Sequence, residues 1–594
     1  MIKLSSIKAA LLRIVAMPGA SYLRKWLILG VLIGIVAGGG SILFYLAIKW
    51  ATYLFLGTGA GYLPPVPKGE ETSLILGQAT RLWMIPVITT LGGLISGLIV
   101  YKWAPEAEGH GTDAAINSFH NKDGFIRRRV PFVKLLASAI TIGSGGSAGR
   151  EGPVALIGAG FGSAIADVFK LNNNDRRIAL AVGIGAGIGS IFKAPLGGAI
   201  LSTEILYRRD FEVEALLPSF IASITGYSIF ASWHGWTPIF GFETGLTFQR
   251  PEELLGYLLL GVACGLFGKL YGWSFYRIRD FFRTVMVPSY LKPALGGLVV
   301  GVIAIFLPQV MGMGYGWLQL AIDGNFAALP LVTIIALIFG KIVATGFSIG
   351  SGGSGGVFAP GLVIGGMVGG ALWYALHGIT TLVPSSPGAF VIVGMMALFG
   401  GIAKAPLAIM IMVSEMTSSY ALLAPCMLSV AVAYVLTGRG YIYEHQVNTK
   451  ADSPAHRSEY SVPYLKKIII KDAMVTRVVT GSPDMPLTQI AELMKSKGIE
   501  AVPILRDESL IGIVANLDLA RIPESKWPQM TAQEVMSKKL IVGYAHETLY
   551  DALARMTQNG ISHLPIVEQN NSEHLLGIMT MSDIARIYSP RSNL

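Results

Sequence analysis

Only two cysteines occur in the 594 residues, Cys264 and Cys426, and both lie inside apolar stretches. Two thiols so placed make neither a disulfide framework nor a cysteine-based metal site, so both read as core packing. Charge is scarce as well. Asp, Glu, Lys and Arg supply 14% of the chain, whereas a soluble protein carries roughly a quarter. That deficit excludes a wholly soluble protein. Gly143–Gly149 and Gly350–Gly356 look like phosphate loops, but neither is followed by Lys-Ser or Lys-Thr. Gly183-x-Gly185-x-Gly187-x-Gly189 suits close helix packing in a membrane better than a dinucleotide site. No nucleophile–base pair and no metal-ligand constellation is legible. An enzyme is therefore not expected; no catalytic and no metal residues are assigned, and no cofactor is required. The basic residues form no nucleic-acid motif. A cleavable signal is missing too, because the first apolar run is too long and has no small-residue cleavage site.

What is abundant is apolar sequence and glycine: hydrophobic residues make up 52%, and glycines number 72. Trp26–Trp50, Leu82–Trp103, Leu254–Trp273, Leu291–Met311 and Leu329–Phe347 approach or exceed the roughly 20 residues of a spanning helix. Ile140–Ile165 and Gly388–Leu407 are broken by glycine or proline. Broken segments at membrane depth persist only where they are buried in protein or line a cavity. Lys3, Lys8, Arg13, Arg24 and Lys25 precede the first run with no acid among them, which places the N-terminus in the cytoplasm.

Hydropathy falls near Gly438, and Tyr443–Pro463 is a polar linker with His445, Lys450, His456 and Arg457. Beyond it, Arg477–Val479, Ala501–Leu505 and Leu510–Val514 read as strands, and Leu487–Lys497 as an amphipathic helix. The pattern then returns. Leu487–Lys497, Gly498-Ile-Glu-Ala-Val-Pro503 and Leu510-Ile-Gly-Ile-Val514 are matched by Leu549–Gln558, Gly560-Ile-Ser-His-Leu-Pro565 and Leu575-Leu-Gly-Ile-Met579. Two copies of one strand–helix–strand–strand–helix unit make a paired α/β module.

The apolar part repeats as well. Ile142-Gly-Ser-Gly-Gly-Ser-Ala-Gly149 matches Ile349-Gly-Ser-Gly-Gly-Ser-Gly-Gly356 at an offset of 207. Phe192-Lys-Ala-Pro-Leu196 is echoed by Ala403-Lys-Ala-Pro-Leu407 at an offset of 211, and Glu204 lines up with Glu415 at the same offset. Two halves broken by glycine at matching positions suggest a transporter whose site lies between the repeats. Its chemistry suits an anion. Helix N-termini offer partial positive charge and free N–H groups, which hold an anion without the grip of a full fixed charge. Gly149-Arg-Glu-Gly-Pro153 and Gly356-Val-Phe-Ala-Pro360 each open such a helix, with proline in the first turn where it costs no hydrogen bond.

At these residues the chain resembles the CLC family of chloride channels and chloride–proton antiporters. Gly149–Pro153 matches the family's GREGP motif, Gly356–Pro360 its GxFxP motif, and Tyr443 falls where the family has a tyrosine facing the central anion. The likeness runs from about residue 25 to 445, and residues 470–590 resemble tandem CBS domains. It implies a polytopic α-helical membrane protein with an inverted internal repeat, carrying a cytoplasmic α/β tandem CBS module. The expected partition is a cytoplasmic N-terminal segment 1–24, a transmembrane domain 25–445, a linker 446–469, and CBS domains 470–525 and 526–594. It further implies a homodimer in a cell membrane (plasma or inner), each subunit with its own anion pathway and both termini cytoplasmic. Chloride is the expected substrate, exchanged for protons.

Carried over residue by residue, Glu151 is the gating and proton-carrying glutamate, since an anionic carboxylate blocks an anion site and protonation releases it. The other reading of Glu151, a permanent pair with Arg150, is awkward because adjacent helical residues point about 100° apart. Gly149, Arg150, Gly152, Gly356, Val357, Phe358 and Tyr443 are the anion-binding set. Lys134 and Arg150 resemble family positions that add positive potential near the pore, or else they snorkel to the interface.

Three positions depart from the family pattern. His110, within Pro105–Asp113, stands where a serine is expected; its ring N–H donates to the anion, or the ring turns away and backbone amides do the binding. Ile205 occupies the place of the family's internal proton glutamate, which supports a passive chloride channel as the alternative. Glu204, one residue earlier, points about 100° away and shares a structural role with Glu415. In the second CBS copy, Gly577-Ile-Met-Thr580-Met-Ser-Asp583 keeps an adenine-nucleotide signature of hydroxyl and carboxylate. The first copy, Gly512-Ile-Val-Ala515-Asn-Leu-Asp518, loses the hydroxyl. One competent cleft for ATP, ADP or AMP at Thr580, Asp583 and Asp518 is the reading, with a purely structural module as its rival. A CBS-regulated cation transporter is a remote third possibility, because helix N-termini repel cations.

Overall fold

The long apolar runs emerge as helices whose ends are set by glycine and proline. The computed structural model describes residues 22–70, 79–241, 246–457 and 464–588; Lys3, Lys8 and Arg13 of the basic leader, and residues 458–463 of the linker, lie outside them. The chain forms two units, Met1–Ala455 and His456–Leu594.

The first half of the larger unit runs α1 (Tyr22–Thr52), α2 (Met84–Trp103), α3 (Thr112–Asn121), α4 (Val130–Gly143), α5 (Glu151–Val168), α6 (Asn173–Ile191), α7 (Pro195–Glu204) and α8 (Val213–His234). The second half repeats the series as α9 (Glu253–Thr284), α10 (Lys292–Phe306), α11 (Tyr315–Ile322), α12 (Leu331–Gly350), α13 (Phe358–Leu376), α14 (Pro387–Ala403), α15 (Pro406–Thr417) and α16 (Leu423–Thr437). Among the described residues, eight helices are long and apolar enough to cross a membrane. The run expected to reach Met311 stops as a helix at Phe306, ahead of Pro308.

Repeated sequence becomes repeated structure. At the α6–α7 and α14–α15 corners, Lys193 (φ 52°) and Lys404 (φ 56°) both adopt the left-handed conformation, and proline starts the next helix. The halves also trade bonds. Glu204 accepts the Leu407 and Ala408 amides (3.2 and 2.7 Å), while Glu415 accepts the Leu196 and Gly197 amides (3.1 and 2.7 Å). Each carboxylate thus caps the helix of the other half, where the dipole favours negative charge. Reciprocal exchange of this kind is what a twofold axis between the halves produces, and the fold is an inverted repeat.

The smaller unit holds α17 (Leu487–Lys497), β1 (Ala501–Arg506), β2 (Ser509–Ala515), α18 (Asn516–Ala520), α19 (Ala532–Val535), β3 (Gly543–Tyr544), α20 (Leu549–Asn559), β4 (His563–Glu568), β5 (Asn571–Thr580) and α21 (Met581–Tyr588). Its sheet has the order β1-β2-β5-β4-β3. Arg477–Val479 is not a strand, which corrects the sequence reading. Only Gly481 reaches the sheet there, bridging to Ile504 in β1, and one residue's pairing cannot extend a ladder. The copies interlock as well: Val475 pairs with Ile578 of the second, and Ser537 with Ile513 of the first. Met536 accordingly sits in the core of the first copy and Ile470 in that of the second.

Candidate functional site

Four helices of the larger unit begin directly after a glycine-rich break: α3 after Gly109-His110-Gly111, α5 after Gly145–Gly149, α11 after Gly312-Met313-Gly314, and α13 after Gly352–Gly356. Their first-turn amides have no intrahelical partner. The breaks are bonded to one another. The amides and carbonyls of Gly149 and Gly356 bond mutually at 2.7 Å, and Gly109 bonds Gly353 and Gly355 (3.0 and 3.2 Å). Backbones come so close that a Cβ on Gly152 would lie 1.7 Å from the His110 carbonyl oxygen. Side chains repeat the pattern. Ser138 meets Ser354 at 2.9 Å, and Ser147 meets Thr345 at 3.0 Å.

Lys134 is fully buried and donates to the Ala107 and Gly109 carbonyls (3.0 and 2.6 Å); its repeat counterpart Lys341 donates to those of Val310 and Gly312 (2.9 and 2.7 Å). Each lysine clamps one glycine break. Snorkelling is therefore ruled out for Lys134.

Glu151 is buried at the start of α5, and its carboxylate reaches toward the start of α13. The Tyr315 hydroxyl donates to Oε1 at 2.5 Å, and the Ala359 amide to Oε2 at 3.3 Å. A Cβ on Gly149 would stand 1.8 Å from Oε2, so glycine there is what leaves room for the carboxylate. Arg150 turns the other way. Its Nη2 donates to Glu70 Oε1 at 2.5 Å, with side-chain exposures of 1% and 5%. The rings of Tyr45, Phe192 and Tyr315 surround the guanidinium within 6 Å (5.7, 5.4 and 5.8 Å). A permanent Arg150–Glu151 pair is thereby excluded.

Below Glu151 is a cavity of about 10 Å³ lined by Thr112, Glu151, Phe358 and Tyr443, with Leu201, Ile205 and Met412 as its apolar wall. The Tyr443 hydroxyl engages that of Thr112. The Phe358 ring packs on Phe192 and Phe399, and the Val357 carbonyl accepts the Tyr271 hydroxyl at 2.8 Å. His110 lies one step behind, its ring 5.5 Å from that of Tyr443 and 5.9 Å from that of Phe275. Its Nδ1 is buried and has no partner among the described residues. His110 also borders a wide vestibule of about 560 Å³ with Asp113, Lys122, Arg279, Glu444 and His445.

The structure thus brings Gly149, Glu151, Gly152, Gly356, Val357, Phe358 and Tyr443 together, with His110 at their margin and the Arg150 side chain pointing out. Sequence reasoning missed Thr112, Tyr315 and Glu70. Thr112 and Tyr315 are repeat counterparts at an offset of 203, each following a Gly-x-Gly, and that spacing was the available signal. In the smaller unit, Thr580 and Asp583 cap α21 together: the hydroxyl donates to Oδ2 at 2.7 Å and accepts the Asp583 amide at 3.1 Å. Asp518 caps α18 through the Ala515 amide at 3.0 Å, with no hydroxyl to assist.

The profile of the voltage gated chloride channel family matches residues 92–438, and that of the CBS domain matches residues 470–525 and 532–590. The chain is 28% identical to the H(+)/Cl(-) exchange transporter ClcA of Vibrio parahaemolyticus, over 70% of this chain and 87% of that protein. It is 27% identical to the chloride channel protein CLC-f of Arabidopsis thaliana, over 95% of this chain and 81% of that protein. Among solved structures, a slow cyanobacterial Cl-/H+ antiporter superposes with a TM-score of 0.61 at 24% identity, over 71% of this chain and 96% of that one.

Proposed function

This chain belongs to the voltage-gated chloride channel family, with CBS domains at its C-terminal end, and on that premise we propose that it exchanges chloride for protons across a cell membrane, gated by Glu151. One observation carries this reading. The Glu151 carboxylate lies where two helix N-termini meet, held by a hydroxyl and an amide that would serve an anion equally well. As a carboxylate it competes with chloride; once protonated, it loses its attraction for the site and leaves. Thr112 and Tyr443 supply hydroxyl donors on the inner side, with the amides of Val357 and Phe358 beside them.

In liposomes loaded with chloride, chloride efflux should drive protons inward against their gradient. Glu151→Gln should reduce that proton movement by at least about a hundredfold, the scale of losing a positioned acid–base group, while chloride still flows. The second reading is a passive chloride channel, favoured by the apolar wall at Ile205. Chloride efflux with no uphill proton movement in the unsubstituted protein would select it.

Orientation follows from charge. Arg127, Arg279 and Arg283 line the vestibule beside His445, and the Arg208 and Arg209 amides bond the Val447 and Asn448 carbonyls (2.8 and 3.0 Å). The positive-inside rule makes this face cytoplasmic. A homodimer is supported by Leu196 and Leu407, repeat counterparts that stay 43% and 42% exposed at the starts of α7 and α15. For the CBS module, an adenine nucleotide at Thr580 and Asp583, with Asp518 weaker, is the ligand to test.

A further inference from the structure

An exchanger must connect Glu151 by protonatable groups to the vestibule. The wall past Leu201, Ile205 and Met412 offers none, because each of these side chains is apolar. The vestibule lining is built differently. The His445 amide donates to Asp113 Oδ1 at 2.8 Å, and His445 Nδ1 bonds Asp113 Oδ2, so one carboxylate holds one imidazole at two points. Asp113 follows Thr112, whose hydroxyl meets that of Tyr443. His110 packs against Tyr443 and lines the vestibule together with Asp113 and His445, with a buried Nδ1 that no described residue satisfies. A buried ring nitrogen without a partner is costly unless it has a task.

We propose that His445, Asp113 and His110 form the relay that carries protons between the vestibule and Glu151, in place of any titratable group at Ile205; this rests on the exchange reading above. A hydronium ion in the vestibule gives its proton to His445 Nε2 and becomes water, and the Nδ1 proton passes to Asp113 Oδ2. Asp113 protonates His110, and the Tyr443–Thr112 hydroxyls hand the proton on to the Glu151 carboxylate through one water, for which a cavity of about 10 Å³ has room. Each step moves one proton and breaks no other bond. The groups facing His445 are Asp113, His110, Lys122 at the end of α3, Arg279 from α9, and the adjacent Glu444; Tyr276 of α9 lies near Asp113, Arg279 and Glu444. Arg279 is committed to Glu444 at 2.6 Å. The bond to Asp113 raises the His445 pKa above the ordinary imidazole value, so the ring holds its proton to higher pH than a free histidine.

The test uses the full chain in liposomes, with chloride and proton movement recorded together for the unsubstituted protein, Asp113→Asn, His445→Gln and Asp113→Glu. Protons moved per chloride should fall at least about tenfold in the first two variants and recover in Asp113→Glu. Continued chloride efflux reports that each variant is folded. Unchanged stoichiometry in both Asp113→Asn and His445→Gln would overturn the relay and leave the exchange reading standing. Absence of uphill proton movement in the unsubstituted protein would instead remove the exchange reading, and the relay with it.

Discussion

In the membrane unit the two copies trade hydrogen bonds across their seam, Glu204 capping α15 while Glu415 caps α7; in the C-terminal unit they trade whole segments, Val475 joining β5 and Ser537 joining β2. Duplication serves the scaffold in both. The units differ in where the copies stop matching. In the membrane unit the mismatch falls on the site. Glu151 has Phe358 as its repeat counterpart, Arg150 has Val357, and Thr112 has Tyr315. One pathway needs one removable carboxylate, and a second at the same seam would repel it. In the CBS module the mismatch at the helix cap is the hydroxyl of Thr580 against Ala515. Residues that match between copies hold the fold, and those that differ mark the chemistry.

Arg150 offers the hardest way to break this comparison, because its partner Glu70 belongs to one half only. Glu70→Ala leaves a buried guanidinium unpaired, and we expect a loss of about 3–5 kcal/mol, read as a lower melting temperature of the purified protein. A loss under about 1 kcal/mol, as for an exposed pair, would mean that the pair is incidental. Next come the matched carboxylates. Glu204→Gln and Glu415→Gln should each cost about 2 kcal/mol, the value of hydrogen bonds to a charged group, and the two losses should be nearly equal. Unequal losses would show that one carboxylate does more than cap its helix.

The smallest effect belongs to the C-terminal unit. Thr580→Ala should cost about 1 kcal/mol as a lost helix cap, and Ala515→Thr should return a similar amount to α18. Titration with a fluorescent adenine nucleotide would then show binding weakened by the first change and strengthened by the second. A nucleotide response to neither would make the module purely structural.

Much of this was legible in the sequence. The offsets of 207 and 211 mark the seam, and Glu204 with Glu415 already pointed to a shared structural role. Leu487–Lys497 emerged as a helix with the expected limits because its apolar period and Gly498 agree. What stayed hidden depends on pairings that carry no local period. Glu70 and Arg150 are 80 residues apart, and Asp113 and His445 are 332 apart. Arg477–Val479 misled because its apolar residues look strand-like, while the residues that bridge to the sheet, Val475 and Gly481, lie on either side of it.

The most direct measurement of the central claim is the voltage at which net ion movement stops, with opposed chloride and proton gradients imposed on a planar bilayer. Coupled exchange through Glu151 predicts a zero-flux voltage between the chloride and proton equilibrium potentials, shifting whenever the proton gradient is changed. A voltage that follows the chloride gradient alone would contradict exchange and make the protein a channel.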